Sequence, residues 1–263
     1  MYPAVYTPRT SLTLDEFRDW HYSDSFPQNG KISYIQGSLY IETNRHQQVV
    51  EVPRSGMTLD DFRAWVHSED YPPRGRITYI NGRLIIDMSP ERIDSHNKIK
   101  TEVVQVIAGF VQREKLGEFY SDRAWIINLD AGVSNEPDAA FATWETLKSK
   151  KLAPPDDRAD DDRYELIGTP DWVCEIVSNS SEKKDYRTLL KAYHKAGIGE
   201  YWIIDAREEE IEFQLLAWAP SGYRAAEPRD GWLASPVFGR EFQLIRSRNQ
   251  VGRWDYELQQ RTA

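Results

Sequence analysis

The stretch DWVCEIVSNSSEKKDYRTLLKAYHKAGIGEYWIID, from Asp171 to Asp205, sets the architecture. Trp172 to Ser178 is a short β-rich run with one acid, Glu175, in its middle. A helix follows from about Glu182 to Ala196 and stops at Gly197, a residue suited to the left-handed C-terminal turn. Glu200 to Asp205 is a second, buried-looking strand.

Upstream, Ser89-Pro90-Glu91 has the composition of a helix start, with serine as N-cap, proline in the first position and an acid in the first turn. Ile99, Val103, Val106, Ile107 and Phe110 then form one apolar stripe, and Gly117 is expected to end the helix. Strands are expected near Glu118 to Leu129 and Asp138 to Thr143. Pro154 to Arg163 reads as an acidic, solvated loop. From Ile211 onward, alternating segments predict one or two terminal antiparallel hairpins. The sum is a mixed α/β sheet flanked by helices, without the regular βα alternation of a doubly wound fold.

The front of the chain is duplicated. Thr13 to Glu42 aligns with Thr58 to Asp87 at a constant offset of 45, without a gap and with 15 identities. Each copy predicts a threonine N-cap, a short amphipathic helix (Leu14, Phe17, Trp20; Leu59, Phe62, Trp65), a proline, and a hairpin turning at Gln36-Gly37 or Asn81-Gly82. Such a unit cannot bury its own apolar face, so copy one must pack on copy two, the main sheet or a second copy of the chain. Residues 1–55 read as an N-terminal extension, 56–220 as the core, and 221–263 as a β-rich segment packed on it. Single-copy acids imply one candidate site, not two.

With 40% apolar and 12% aromatic residues, the 263-residue chain can build a sizeable core. Its net charge of −9 provides no global attraction for nucleic acid or anionic membranes. The single cysteine, Cys174, excludes an intrachain disulfide and a Cys-rich zinc site, and reads as a buried hydrophobe. The start, MYPAVYTPRTSL, lacks the pattern of a signal peptide, and no apolar run approaches bilayer length, so the expected setting is cytoplasmic. No phosphate-binding glycine loop, HExxH pair or G-x-S-x-G elbow is present. Trp125, Trp144, Trp172 and Trp202 are expected in the core.

Two segments carry candidate chemistry: Pro137-Asp138 at the head of one strand, and Glu175 within another. Carboxylates meeting at one sheet edge can hold Mg²⁺ or Mn²⁺, which activates water and neutralises phosphodiester charge. By themselves these acids also fit a salt bridge or a strand cap.

Pro137-Asp138, Glu175-Ile176-Val177-Ser178, Asp185, Tyr193, Gly197 and Glu200 to Asp205 together resemble the Uma-type restriction endonuclease family, the former domain of unknown function 820, within the PD-(D/E)XK nuclease superfamily. The likeness begins near Met57, passes through Gly82, Ser89-Pro90 and His96, and extends to about Trp218. It implies a restriction-endonuclease-like αβα core, Asp138 and Glu175 as ligands of Mg²⁺ or Mn²⁺, the Ile176 carbonyl as a further ligand, His96 near the site, and DNA as substrate.

The chain departs from the superfamily pattern where lysine is expected. Position 177, two residues after the second acid and on the same strand face, is valine. Position 189, where a lysine from the following helix is thought to take over, is leucine. Lys191 lies about 200° around the helix from Leu189. Lys183 and Lys184 are alternatives that also fit plain solvated charge, and His96 also fits a structural partner. A hairpin-strand acid of the family is Thr78 here. The expected activity is metal-dependent hydrolysis of DNA phosphodiesters, with Asp138, Glu175, His96 and Lys184 as catalytic candidates. The alternative is a nuclease-fold protein that no longer cuts and serves as a DNA-binding or protein-interaction module. A homodimer through copy one fits the unburied face of that unit.

Overall fold

A computed structural model describes residues 4–6, 12–24, 26–27, 31–35, 38–42, 49–52, 57–72, 75–155 and 165–262. The Gln36-Gly37 turn and most of the acidic stretch 154–163 lie outside the described residues. By internal contacts the chain divides into two compact units, residues 1–90 with 132–135, and residues 91–131 with 136–263.

In the first unit both copies form a helix followed by an antiparallel strand pair. The helices are Leu14–His21 and Leu59–Val66. Each begins with a reciprocal capping box. The Glu16 amide donates to Thr13 Oγ1 at 3.2 Å while the Thr13 amide donates to Glu16 Oε2 at 2.8 Å. Thr58 and Asp61 repeat the arrangement at 3.1 and 2.9 Å. These bonds favour the ionised carboxylates and lower the pKa of Glu16 and Asp61. Lys31–Ile35 pairs with Ser38–Glu42, and Arg76–Ile80 with Arg83–Asp87. The second turn has positive φ at Asn81 (49°) and Gly82 (83°), as a two-residue primed turn requires. Residues of both copies, among them Trp20, Leu39, Ile41, Phe62, Trp65 and Ile86, belong to one buried apolar cluster. Copy one therefore completes its core on copy two. For that reason the division by contact falls at residue 90 and not at 55/56.

The second unit is built on a six-stranded sheet in the order Arg224–Ala225, Glu212–Ala217, Glu200–Asp205, Trp172–Ile176, Ala139–Thr143, Gly117–Ser121. Trp172–Ile176 and Glu200–Asp205 run parallel, and every other neighbouring pair is antiparallel. A parallel pair needs a crossover, here the helical segments Lys184–Leu189 and Leu190–Lys195. Gly197 ends this helix at φ 73°, with the Ile198 amide donating to the Tyr193 carbonyl at 3.1 Å.

Alternation along these strands divides the sheet into two faces. Trp172, Cys174, Ile176, Trp202 and Ile204 face a cluster that includes Ile99, Val103, Ile107 and Phe110, the stripe read from the sequence. Glu175 is on the other face, with the crossover helix, where the Tyr193 and Tyr201 rings meet edge to face at 5.1 Å. The C-terminal strands Leu233–Ser235, Arg240–Arg248 and Trp254–Thr262 pair antiparallel and add Phe242, Tyr256 and Leu258 to the first cluster. Buried Glu200 ties them in, accepting from Ser235 Oγ at 2.7 Å and the Val237 amide at 3.2 Å. Residues 221–263 thus share the core of the second unit. Among the described residues no helix is long and apolar enough to cross a membrane.

Three sequence expectations change. The long helix begins at Ile93, not at Ser89-Pro90, because Asp87 Oδ1 accepts the Ser89 amide at 2.8 Å and holds it in a turn. Gly117 does not end that helix. Lys115 does, in the left-handed conformation (φ 53°), with the Leu116 amide donating to the Val111 carbonyl. Gly117 instead opens the edge strand, where a Cβ would lie 1.9 Å from the Ala142 carbonyl oxygen. Trp144 is 41% exposed and not a core residue. It begins a short helix, and its indole N–H donates to the Lys115 carbonyl at 2.8 Å.

Gly117→Ala should therefore force the edge strand away from Ala139–Thr143. The expected cost is about 1–3 kcal/mol, read as a lower urea midpoint.

Candidate functional site

The register Ala139↔Cys174, continued by one residue, sets Asp138 opposite Glu175. Opposed residues of an antiparallel pair project to the same side. Both side chains are buried. The Ile176 amide donates to Asp138 Oδ2 at 2.8 Å, which fixes that carboxylate at the strand entrance. Tyr193, on the crossover helix, donates its hydroxyl to Glu175 Oε1 at 2.8 Å.

Two helices bring the remaining groups, each through wide, π-type turns. Ile93–Asn97 carries His96, and Lys98–Val103 continues with Lys100 one turn later. Lys184–Leu189 carries Lys184 and Asp185. Such turns re-aim side chains and recur at functional sites. His96 Nε2 lies 3.5 Å from Asp138 Oδ2, and Nδ1 3.5 Å from Glu91 Oε2. Lys100 Nζ is 2.9 Å from Glu91 Oε1, 3.3 Å from Asp138 Oδ1 and 3.5 Å from Asp122 Oδ1. Lys184 Nζ is 3.4 Å from Asp185 Oδ1 and 3.7 Å from Glu175 Oε2.

The structure thus brings together all four catalytic candidates, Asp138, Glu175, His96 and Lys184, in the second unit. It adds Glu91, Lys100, Asp185 and Tyr193. Lys100 had one sequence signal, its i, i+4 spacing from His96, which sets both on one helix face. Val177 and Leu189 are fully buried, so neither position offers a cation. Lys100 and Lys184 supply the ammonium groups instead. Thr78 has a local role in the first unit, donating its hydroxyl to Asn135 Oδ1 at 2.6 Å.

Burial and crowding shape the protonation states. Burial pushes Glu175 up to about 8; Lys184 opposes this, Asp185 and Asp138 add to it, and the Tyr193 hydrogen bond works against it. Asp185 is also raised, first by burial, with Lys184 opposing. Burial would lower the His96 pKa, but attraction to Asp138 and Glu91 prevails and lifts it to about 9.

Glu91, His96 and Asp138 each present one ligand atom, and these atoms lie within 4.8 Å of one another. Two carboxylate oxygens and one imidazole nitrogen are a donor set that can hold a metal ion. Of the ligands expected from the sequence, Asp138 belongs to this group. Glu175 is not one of these three. Its carboxylate adjoins the cluster from the neighbouring strand.

The pKa shifts give a signed prediction. The unfolded chain releases the Glu175 proton near 4.5, while the folded chain holds it to about 8. That contribution is fully present below the lower value and is lost as pH rises through the upper one. His96 behaves alike between 6.5 and about 9. Chelator-treated protein should therefore become less stable from about pH 5 to about pH 9 in urea unfolding. Glu175→Gln should flatten the lower part of the decline.

Comparison with known proteins gives a family and a fold. The family model Uma2, described as "Putative restriction endonuclease", matches residues 59–247. A solved structure from Anabaena variabilis ATCC 29413, described as "a putative nuclease belonging to DUF820", is 21% identical, with a TM-score of 0.50 over 69% of this chain and 90% of that one. At that identity the likeness concerns the fold. Among curated proteins, none matches the chain. The matched span takes in the sheet, both site-bearing helices and every residue of the cluster just described, and the chain belongs to the Uma2 family.

Proposed function

We propose that the protein is a metal-dependent endonuclease that hydrolyses phosphodiester bonds of DNA. The observation that carries this reading is the buried pairing of Asp138 and Glu175 across adjacent strands, with an ammonium group beside each: Lys100 at 3.3 Å and Lys184 at 3.7 Å. Family membership supports it.

Asp138 and Glu175 would hold Mg²⁺ or Mn²⁺, with Glu91, His96 and the Ile176 carbonyl as further donors. The ion, when bound, would activate water and neutralise charge on the phosphodiester. The chain's own residues do the positioning. The Ile176 amide and Tyr193 hydroxyl hold the two carboxylates in place. Lys100 and Lys184 balance the buried negative charge and can meet developing charge on the phosphate oxygens. His96, whose pKa is lifted to about 9 in the ion-free site, must release its proton to offer a nitrogen ligand. With a net charge of −9, DNA attraction has to come from such local cations and not from the whole molecule. The family match begins at residue 59, inside copy two, which supports reading copy one as a helix-hairpin added to a nuclease core.

A second reading, a nuclease-fold module that binds without cutting, is favoured by Val177 and Leu189 at the two expected lysine positions. One assay separates the two. Purified protein with Mn²⁺ or Mg²⁺ should nick supercoiled plasmid DNA, and Asp138→Ala or Glu175→Ala should lower the rate by on the order of 10²–10³-fold. Undiminished cleavage in both variants would remove the site assignment. No cleavage by the parent protein, together with retained DNA binding, would select the second reading.

A further inference from the structure

Trp144 follows the strand Ala139–Thr143 at the head of a short helix, and its ring is 41% exposed. The indole N–H donates to the Lys115 carbonyl at 2.8 Å, so the ring is held at one tilt. Two hollows share Trp144 and Phe119 in their walls. The smaller, of about 450 Å³, reaches Val111 and Lys115. The larger, of about 1110 Å³, follows the edge strand Gly117–Ser121 to Asp122 and Arg123, with Lys148 and Lys150 in its walls. It is large enough for more than one nucleotide.

Lys115, Arg123, Lys148 and Lys150 are all exposed along these hollows. The acids in the same walls are engaged or covered. Glu118 accepts the Tyr120 hydroxyl at 2.6 Å, Asp122 Oδ1 lies 3.5 Å from Lys100 Nζ, and Glu165 is buried. An open aromatic ring among exposed cations is the combination that binds unpaired nucleic acid: bases stack on the ring and phosphates meet the cations. The larger hollow also leads to the candidate site, because the Lys100 ammonium beside Asp122 is 3.3 Å from Asp138 Oδ1. From position 138 to position 144 the chain advances about 20 Å at roughly 3.3 Å per strand residue. That is about six stacked nucleotide steps of roughly 3.4 Å.

We propose that Trp144 is a stacking platform for an unpaired base, and that the hollow along the edge strand carries a single-stranded stretch of DNA between that ring and Asp138. This rests on reading the protein as a nuclease, and it narrows the substrate class to DNA with a single-stranded segment next to the bond that is cut. Lys115, Arg123 and Lys148 meet phosphates beside the stacked base. A blunt duplex keeps its base faces covered by their neighbours, so it gains the phosphate contacts and not the stack. The ring therefore selects between the two forms of DNA, while the cations serve both.

The test is fluorescence anisotropy of a labelled oligothymidylate and of a blunt duplex of equal length, titrated with full-length protein in chelator so that nothing is cut. The parent chain should bind the single strand more tightly than the duplex. Trp144→Ala should weaken single-strand binding by about 5–150-fold, the worth of one stacked base, and so remove the preference. Trp144→Phe, which keeps a ring and loses the indole N–H, should retain most of it. Lys148→Gln should lower the salt slope for the single strand by about 0.7. Urea unfolding establishes that each variant is folded. Equal weakening for both DNAs in Trp144→Ala, no weakening at all, or a folded Trp144→Phe that behaves like Trp144→Ala would overturn the stacking site. So would a Trp144→Ala chain whose mass in solution changes while its DNA binding does not, since the hollow would then be covered by a second copy. A parent that nicks plasmid without preferring the single strand would overturn this inference and leave the nuclease reading intact. A parent that shows the Trp144-dependent preference but never cuts would support the stacking site and remove the nuclease reading.

Discussion

A carboxylate in the middle of a fully buried strand is the constraint on which the second unit turns. Glu175 is 1% exposed, between strands on both sides and beneath a helix. In that position it cannot be left to water. The crossover helix brings Tyr193 and Lys184 to it, and the register of the next strand brings Asp138. The neutralising groups are therefore delivered by the same connection that makes the central strand pair parallel. Fold and site share one cause.

The opposite face shows how the same strands do a purely structural task. Trp172 and Trp202 pack edge to face at 5.1 Å, and Phe238 lies against both. The long helix and the C-terminal strands close over them. This apolar layer covers one face of the sheet while the acids crowd the other. Glu200 is a second buried acid, but its oxygens accept from Ser235, Trp202 and Val237, so it works as a tie between segments. Asp185 and Glu200 are both buried acids of this unit. Asp185 has an ammonium beside it, and Glu200 has neutral donors.

Much of the second unit was legible in the chain. The apolar stripe of the long helix, the strand–helix–strand order around Glu175 and the stop at Gly197 all follow from local periodicity and turn chemistry. Ser89 and Gly117 misled because each has a competing use. Asp87 draws Ser89 into a turn. Gly117 is required by the close approach of Ala142 across the sheet, a demand that no local window contains. Trp144 was expected inside because tryptophan usually is, but its place at the first turn of a short helix leaves it half in solvent.

The sequence by itself determined the duplicated front, the single set of candidate acids and their membership in a recognisable motif, because identity and spacing are properties of the linear chain. Only the tertiary structure decided which cations answer those acids. Lys100 is 38 residues from Asp138, and its ammonium reaches that carboxylate only because the long helix crosses the strand entrance. Lys184 is adjacent to Asp185 in sequence, yet its proximity to Glu175 depends on the wide turn that begins the crossover helix. Charge compensation in a buried site is set by distances of a few ångströms in space, and sequence separation does not encode them.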